Sequence, residues 1–303
     1  MRWLLGSEVS IAMAQKMARI FPDTSIFQRL CWHAGATAWD KTGMRFVRTQ
    51  PGFGVCLDLS DHTWRGIFFY GVYEPEVTSI VSDLAAPGQV WWDIGANIGW
   101  YTFLLSRKVG ENGRVLAFEP NPLCSKFLSS GLGHNGFLNV VQSQVALGAK
   151  TGRSILFVPV DPDHTLGGHG RPSLIRHEDI KSVSEITVET ATVDQVIEMG
   201  MPHPYGIKLD VEGFESAVLA GAKEMFKSSP PSIIISEVTH FRDALVKPKE
   251  LVQTIISYGY IAFHVENRRR YDPNVEIDGS LSKDFVFVHE SCIEEIGPKL
   301  AGS

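Results

Sequence analysis

The chain has 303 residues, 44% of them hydrophobic and 20% charged, the proportions of a soluble globular protein with length for one large α/β domain and an extension. Its formal net charge of −6 argues against a nucleic-acid partner, which needs a basic face, and the one basic run, Arg268-Arg269-Arg270, reads as a solvated turn. No apolar run approaches the roughly 20 residues that span a bilayer, the opening Met1-Arg2-Trp3-Leu4-Leu5-Gly6 is cut short by Ser7 and Glu8, and Cys31, Cys56, Cys124 and Cys292 lack the spacing of a zinc site or a disulfide framework; no stable membrane insertion and no metal are expected, and the location is expected to be cytoplasmic.

Residues 7–20 carry apolar side chains at helical spacing (Val9, Ile11, Met13, Met17, Ile20), with Pro22 closing the run. Phe46-Val47-Arg48, Gly54 to Leu59 and Ile67-Phe68-Phe69 read as a small β-meander punctuated by Pro51-Gly52 and Asp61-His62. Residues 1–72 thus form an N-terminal α+β extension, through which a homodimer would form. Pro75 opens a helix with Val77, Ile80, Val81 and Leu84 on one face, stopped by Pro87-Gly88.

From Gln89 the alternation is that of a Rossmann-like α/β sheet over residues 73–292, with 293–303 as a tail. Strands are expected at Val90–Ile94, Val115–Phe118, Val140–Ser143, Gly206–Asp210, Ser232–Glu237, Tyr260–Val265 and Asp284–Val288, the last two as an antiparallel pair. Ser154–Val160 and Ile186–Thr192 alternate as a two-stranded ribbon. The polar, glycine-rich stretch from Asp161 towards Ser184 between them reads as a lid, with His164 and His169 as exposed loop residues.

The chemistry concentrates in Asp93-Ile94-Gly95-Ala96-Asn97-Ile98-Gly99, a strand, a tight turn and a helix start. A dinucleotide turn wants G-x-G-x-x-G, to seat a pyrophosphate on a helix N-terminus. Here an acid ends the strand and Asn97 replaces the second glycine. An acid repels a pyrophosphate but suits an ammonium, which S-adenosylmethionine carries together with a sulfonium and no phosphate. Gly95 and Gly99 are expected to let a ligand approach the main chain, and the first N–H groups of the helix to be open to it. Glu119, roughly two dozen residues on and at the end of the second strand, is placed to accept both ribose hydroxyls of an adenosine. Ala146 offers a small apolar face for adenine. Asp210 and Glu237 end neighbouring strands at the carboxyl edge, with His240 just beyond, and are the candidate catalytic residues; a hydroxyl acceptor needs a base or a metal to withdraw its proton. Glu212 is expected to hold its turn through main-chain N–H groups.

Tyr73-Glu74-Pro75, the Asp93–Gly99 turn, Glu119-Pro120-Asn121-Pro122, Thr192-Val193-Asp194, Lys208-Leu209-Asp210-Val211-Glu212-Gly213-Phe214-Glu215 and Leu219-Ala220-Gly221-Ala222 occur in that order. With them the chain resembles the FkbM-like class I S-adenosylmethionine-dependent methyltransferases over roughly residues 60–290, the Lys-x-Asp-x-Glu-Gly block being the most specific piece. The resemblance implies a seven-stranded sheet in the order 3-2-1-4-5-7-6, S-adenosylmethionine at the carboxyl ends of the first strands, and methylation of a hydroxyl on a small molecule such as a sugar or polyketide. Candidate cofactor-binding residues on these motifs are Glu74, Asp93, Gly95, Asn97, Gly99, Tyr101, Thr102, Glu119, Pro120, Asn121, Ala146 and Asp210. N-methylation of a small molecule or peptide, and a binding module that keeps the fold without turnover, stay open at this point. A nicotinamide oxidoreductase lacks its third glycine, and the Asp/Asn-Pro-Pro-aromatic turn of base-directed amino methyltransferases is absent.

Overall fold

A computed structural model describes Lys16 and residues 44–59, 61–160, 172–177, 182–238, 245–274, 277 and 283–300. Apart from Lys16, the residues of the helix expected over 7–20 lie outside the described residues, as do the loop histidines His164 and His169 and His240. Two strands, β1 (Met44–Arg48) and β2 (Gly54–Asp58), pair antiparallel. The expected third strand at Ile67–Phe69 is instead part of helix α1 (His62–Tyr70). Ile-Phe-Phe has strand propensity, but an Asp61 carboxylate oxygen accepts the Trp64 N–H at 3.1 Å and caps a helix start. Such a cap contributes about 1 kcal/mol. Trp64, Ile67 and Phe68 then fall on one helical face and are buried. Helix α2 (Pro75–Leu84) follows, with Pro at its first turn and the expected apolar face buried.

The main sheet is built from β3 (Val90–Ile94), β4 (Arg114–Phe118), β5 (Val140–Ser143), β9 (Gly206–Leu209), β10 (Ile233–Val238), β11 (Tyr260–His264) and β12 (Lys283–His289). Its order is β5-β4-β3-β9-β10-β12-β11. Counted among themselves in chain order, these strands run 3-2-1-4-5-7-6, and all pairs are parallel except those of β12 with β10 and β11. That is the class I methyltransferase sheet the motifs implied. The sequence direction reverses between β3 and β9, and the carboxyl edge at such a switch is where open α/β sheets bind ligands. The helices α3 (Trp100–Val109) and α4 (Pro122–Asn135) cover one face; α5 (Val193–Glu198), α6 (Glu215–Ala220), α7 (Lys223–Ser228) and α8 (Pro248–Ser257) are interspersed with the later strands. The expected tail includes a helix, α9 (Ile293–Leu300), which buries Ile296 and Leu300.

Hairpin β1–β2 and α1 share one core with the sheet. Val55, Leu57, Trp64 and Ile67 pack in the same cluster as Phe103, Phe127 and Val115. Burying a large apolar side chain contributes about 1.5–3 kcal/mol, so these buried side chains hold the layer to the sheet's core. A second sheet, in the order β6-β8-β7, joins β6 (Ala146–Leu147) to the expected ribbon of β7 (Gly152–Pro159) and β8 (Val183–Ala191). Among the described residues no helix is long and apolar enough to cross a membrane, and Cys56, Cys124 and Cys292 are free thiols.

Candidate active site

Two turns at the carboxyl edge meet to make the floor of a cleft. The first follows β3. Gly95 sits at φ +86°, and a Cβ built on it would lie 1.8 Å from the carbonyl oxygen of Asp210, so glycine is dictated here by the approach of the neighbouring strand's end. At Gly99 (φ +96°) a Cβ would meet Leu128 and Phe103 at 2.5 Å, so this glycine serves the packing of α3 on α4 and lies behind the cleft. Four of the turn's N–H groups are engaged by the protein. Those of Gly95 and Ala96 both donate to the Phe118 carbonyl at 3.0 Å, that of Asn97 to Glu119, and that of Gly99 to the Ala96 carbonyl.

Glu119 is the clamp of this turn. Its Oε2 accepts the Asn97 N–H at 2.7 Å and its Oε1 the Asn121 N–H at 2.8 Å. Burial pushes its carboxyl up to about 7, against the two N–H bonds. An ionised carboxylate has about four lone-pair sites, so two remain for hydroxyl donors on the cleft side. Asn121 caps α4 by accepting the Leu123 N–H, while its buried Nδ2 finds no acceptor among the described residues.

The second turn follows β9. Asp210 donates its N–H to Ile94 and accepts the Lys208 ammonium at 3.0 Å. The expectation for Glu212 is corrected: Glu215, buried at the head of α6, holds the turn, accepting the N–H groups of Val211 and Gly213 at 3.2 and 3.1 Å. The Val211 and Gly213 N–H groups are thereby taken by Glu215, and Glu212 occupies the left-handed region (φ 53°) within the turn. Its carbonyl faces the second sheet, where Ser173 Oγ donates to it at 2.9 Å and His177 Nε2 lies 3.2 Å away. One described part of the expected lid, Pro172–His177, is thus fastened to the Asp210 turn, and Ser173 also pairs with Phe157 across two main-chain bonds.

The cleft offers about 960 Å³ of empty space, counting the open solvent at its mouth. Of the candidate residues, Gly95, Asn97, Tyr101, Glu119, Pro120, Ala146 and Asp210 line it. Glu74, Asp93, Gly99, Thr102 and Asn121 stand behind these. Thr102 Oγ1 donates to Asp93 at 2.5 Å, and Tyr101 donates its hydroxyl to Glu74 at 2.6 Å. Burial raises the Asp93 carboxyl to about 6, although Thr102 and Lys208 oppose it. Glu237 does not line the cleft, and burial with Asp210, Glu212 and Asp284 raises it well above the usual carboxylate range, which favours its protonated form. Its cross-strand partner is Asp284, a like charge. Among the described residues no group of three or more His, Cys, Asp and Glu side chains is placed to hold a metal ion. The walls also hold Tyr73 and Phe214, which stand inside the motifs without a role assigned to them, and Trp64, Ile67, Leu156 and Leu174, which lie outside every motif. Trp64 and Ile67 would have emerged from a helical reading of 61–70; Leu156 and Leu174 come from the second sheet and its loop, whose docking no local pattern encodes.

A buried carboxylate with spare lone pairs, beside a small apolar face and next to a glycine turn without a phosphate-binding nest, suits an adenosyl amino acid with a sulfonium. The chain is similar to the hexuronic acid methyltransferase AglP of Haloferax volcanii, at 28% identity over 183 residues, covering 60% of this chain and 67% of that protein. It is also similar to the methyltransferase sdnD of Sordaria araneosa, at 29% identity over 155 residues, covering 44% of this chain and 60% of that protein. The chain therefore spans about two thirds or less of these relatives' length. Among solved structures, the precorrin-6y C5,15-methyltransferase of Geobacter metallireducens aligns over 71% of this chain and 88% of its own, at 14% identity and a TM-score of 0.41. The Methyltransferase FkbM domain matches residues 93–262, more than half of the 303 residues and the whole span from the Asp93 turn through both clamps. This chain belongs to the FkbM family of methyltransferases, with S-adenosylmethionine as the methyl donor.

Proposed function

We propose that the protein transfers a methyl group to a hydroxyl of a small molecule, with a sugar as the favoured acceptor class. The observation that carries this reading is Asp210: a carboxylate in the cleft wall, anchored at 3.0 Å by a buried ammonium and joined to the donor turn at Ile94 and Gly95. The sugar-acid acceptor named for AglP supports the acceptor class.

S-adenosylmethionine, when bound, supplies an electrophilic methyl on a sulfonium that departs as a neutral thioether. Glu119 would hold its ribose hydroxyls, Ala146 and Pro120 would flank the adenine, and the amino-acid end would lie against the Gly95–Asn97 turn beside the Tyr101 ring. A hydroxyl is a poor nucleophile until its proton is withdrawn, and Asp210 takes that proton as the bond to the methyl carbon forms. Leu156, Leu174 and Phe214 exclude water from the wall. Alignment of the acceptor oxygen with the methyl group supplies much of the remaining rate.

The test is incubation with isotopically labelled donor and a panel of hexoses, hexose glycosides, hexuronic acids and their amino counterparts. The expected outcome is label retained as an O-methyl group, read by mass spectrometry and NMR. Label appearing only on nitrogen, or donor binding with no transfer to any acceptor in a host-cell extract, would overturn the reading.

A further inference from the structure

Lys208 is the anomaly of the sheet. It sits mid-strand in β9, between two parallel neighbours, where a strand buried on both faces is ordinarily apolar throughout. Ile207 and Leu209 obey that rule and pack in the core on one face. Lys208 points to the other and is 0% exposed. The parallel register sets it beside Asp93 on β3 and Ile235 on β10. Burial works against its ammonium, but Asp210, Glu74 and Asp284 outweigh that and hold it charged. A buried ion pair is poor value as a source of stability, because well-packed apolar side chains in its place serve as well or better. Its presence here has another use.

The contacts of Lys208 show what that use is. Its Nζ bonds Asp210 Oδ2 at 3.0 Å, on the same face two residues on. It also lies 5.0 Å from the centroid of the Tyr101 ring, close enough for a cation–π contact. Tyr101 in turn donates to Glu74, whose backbone is in the left-handed region at φ 40°. Asp210 and Tyr101 both line the cleft, whereas Lys208 does not. One buried cation thus ties together the two side chains that face the reacting region from different elements.

We infer that Lys208 is a positioning residue for methyl transfer, fixing the Asp210 carboxylate in the orientation from which it takes the acceptor proton. This rests on the reading of Asp210 proposed above, and the experiment separates the two. Lys208→Met, Asp210→Asn and the double variant are compared in a cycle of kcat, with affinity for S-adenosylhomocysteine by calorimetry and thermal unfolding read beside it. Misplacing a reacting group costs of order 10²-fold. Lys208→Met should lower kcat by about that factor while product affinity stays within about threefold, and adding it to Asp210→Asn should lower kcat no further. Normal kcat in Asp210→Asn would sink the Asp210 reading itself. Normal kcat in Lys208→Met, or a double variant slower than Asp210→Asn by the full Lys208→Met factor, would sink the positioning role alone. If Lys208→Met does not fold, the double variant, which removes both charges of the pair, carries the comparison with Asp210→Asn: equal kcat supports the inference, and a further loss or an unfolded double variant overturns it.

Discussion

The two turns at the carboxyl edge are built alike and are used differently. Each follows one of two adjacent parallel strands, β3 and β9, and each contains a non-glycine residue in the left-handed region, Asn97 at φ 50° and Glu212 at φ 53°. Each is held by a buried glutamate that accepts two main-chain N–H groups, Glu119 for the first and Glu215 for the second, and burial pushes both carboxyls up to about 7. Glu119 faces the cleft and Glu215 does not. The same device therefore holds a backbone in both places, and in one of them it also presents a carboxylate to the cleft. What opens a clamp to a ligand is the side from which it can be reached.

The sharpest break between the turns is expected at Asp210. Asp210→Asn keeps the shape of the second turn and removes the proton acceptor, so kcat should fall about 10²–10⁴-fold, with affinity for S-adenosylhomocysteine nearly intact. Collapse of both together would move Asp210 into the donor site. The next effect tests the contact between the turns. Gly95→Ala puts a Cβ 1.8 Å from the Asp210 carbonyl at φ +86°, and clash with strain should cost about 3 kcal/mol or more. Because the clash displaces Asp210, residual activity should drop further than unfolding alone explains. Chemical denaturation with normal stability would show that the turns are free to part.

Much of this was legible in the sequence, and the gaps have physical causes. The strand positions, the ribbon, α2 and the last antiparallel pair follow from periodicity and from glycine and proline punctuation, which are local signals, whereas the strand order was implied by the family resemblance. Glu119, expected from its place at the end of the second strand, does line the cleft. Asp93 and Gly99 carry the same local signature as a ligand site, yet Asp93 is turned to Thr102 and Gly99 to Leu128 and Phe103. A motif records what a backbone demands and does not separate packing from binding. Ile67-Phe68-Phe69 was misread because strand propensity in three residues lost to a cap at Asp61 and to burial against α4, where Trp64 packs edge-on to Phe127. Glu215 and Lys208 stood inside the quoted block, but their partners lie across the turn and across the sheet, which spacing does not reveal.

Replacing the two clamps gives the direct comparison. Glu119→Gln and Glu215→Gln each weaken two N–H bonds to a charged acceptor, a loss of about 1–3 kcal/mol, and both should lower the unfolding midpoint. Only Glu119→Gln should also weaken S-adenosylhomocysteine binding, by about tenfold or more at pH 8. Equal affinity losses in the two variants would mean that Glu119 acts on the ligand only through the shape of its turn.

The smallest effect is one of pH, and its sign differs between stability and binding. Glu119, Glu215 and Asp284 are raised to about 7 and Asp93 to about 6 by burial. A carboxyl raised in the folded state binds its proton more tightly there than in the unfolded chain. Its contribution to stability is complete below the ordinary carboxylate range and is lost as pH rises through about 6 to 7. The free protein should therefore lose stability between pH 6 and 8. Donor-product affinity should run the other way, because ribose hydroxyls donate to the ionised form of Glu119; it should rise about three- to tenfold over the same interval and flatten above it. Glu215→Gln should reduce the stability slope and leave the affinity slope, whereas Glu119→Gln should reduce both. Titration calorimetry and thermal unfolding at pH 6, 7 and 8 measure the two slopes, and an affinity slope that survives Glu119→Gln would assign it to another group and take Glu119 out of contact with the ribose.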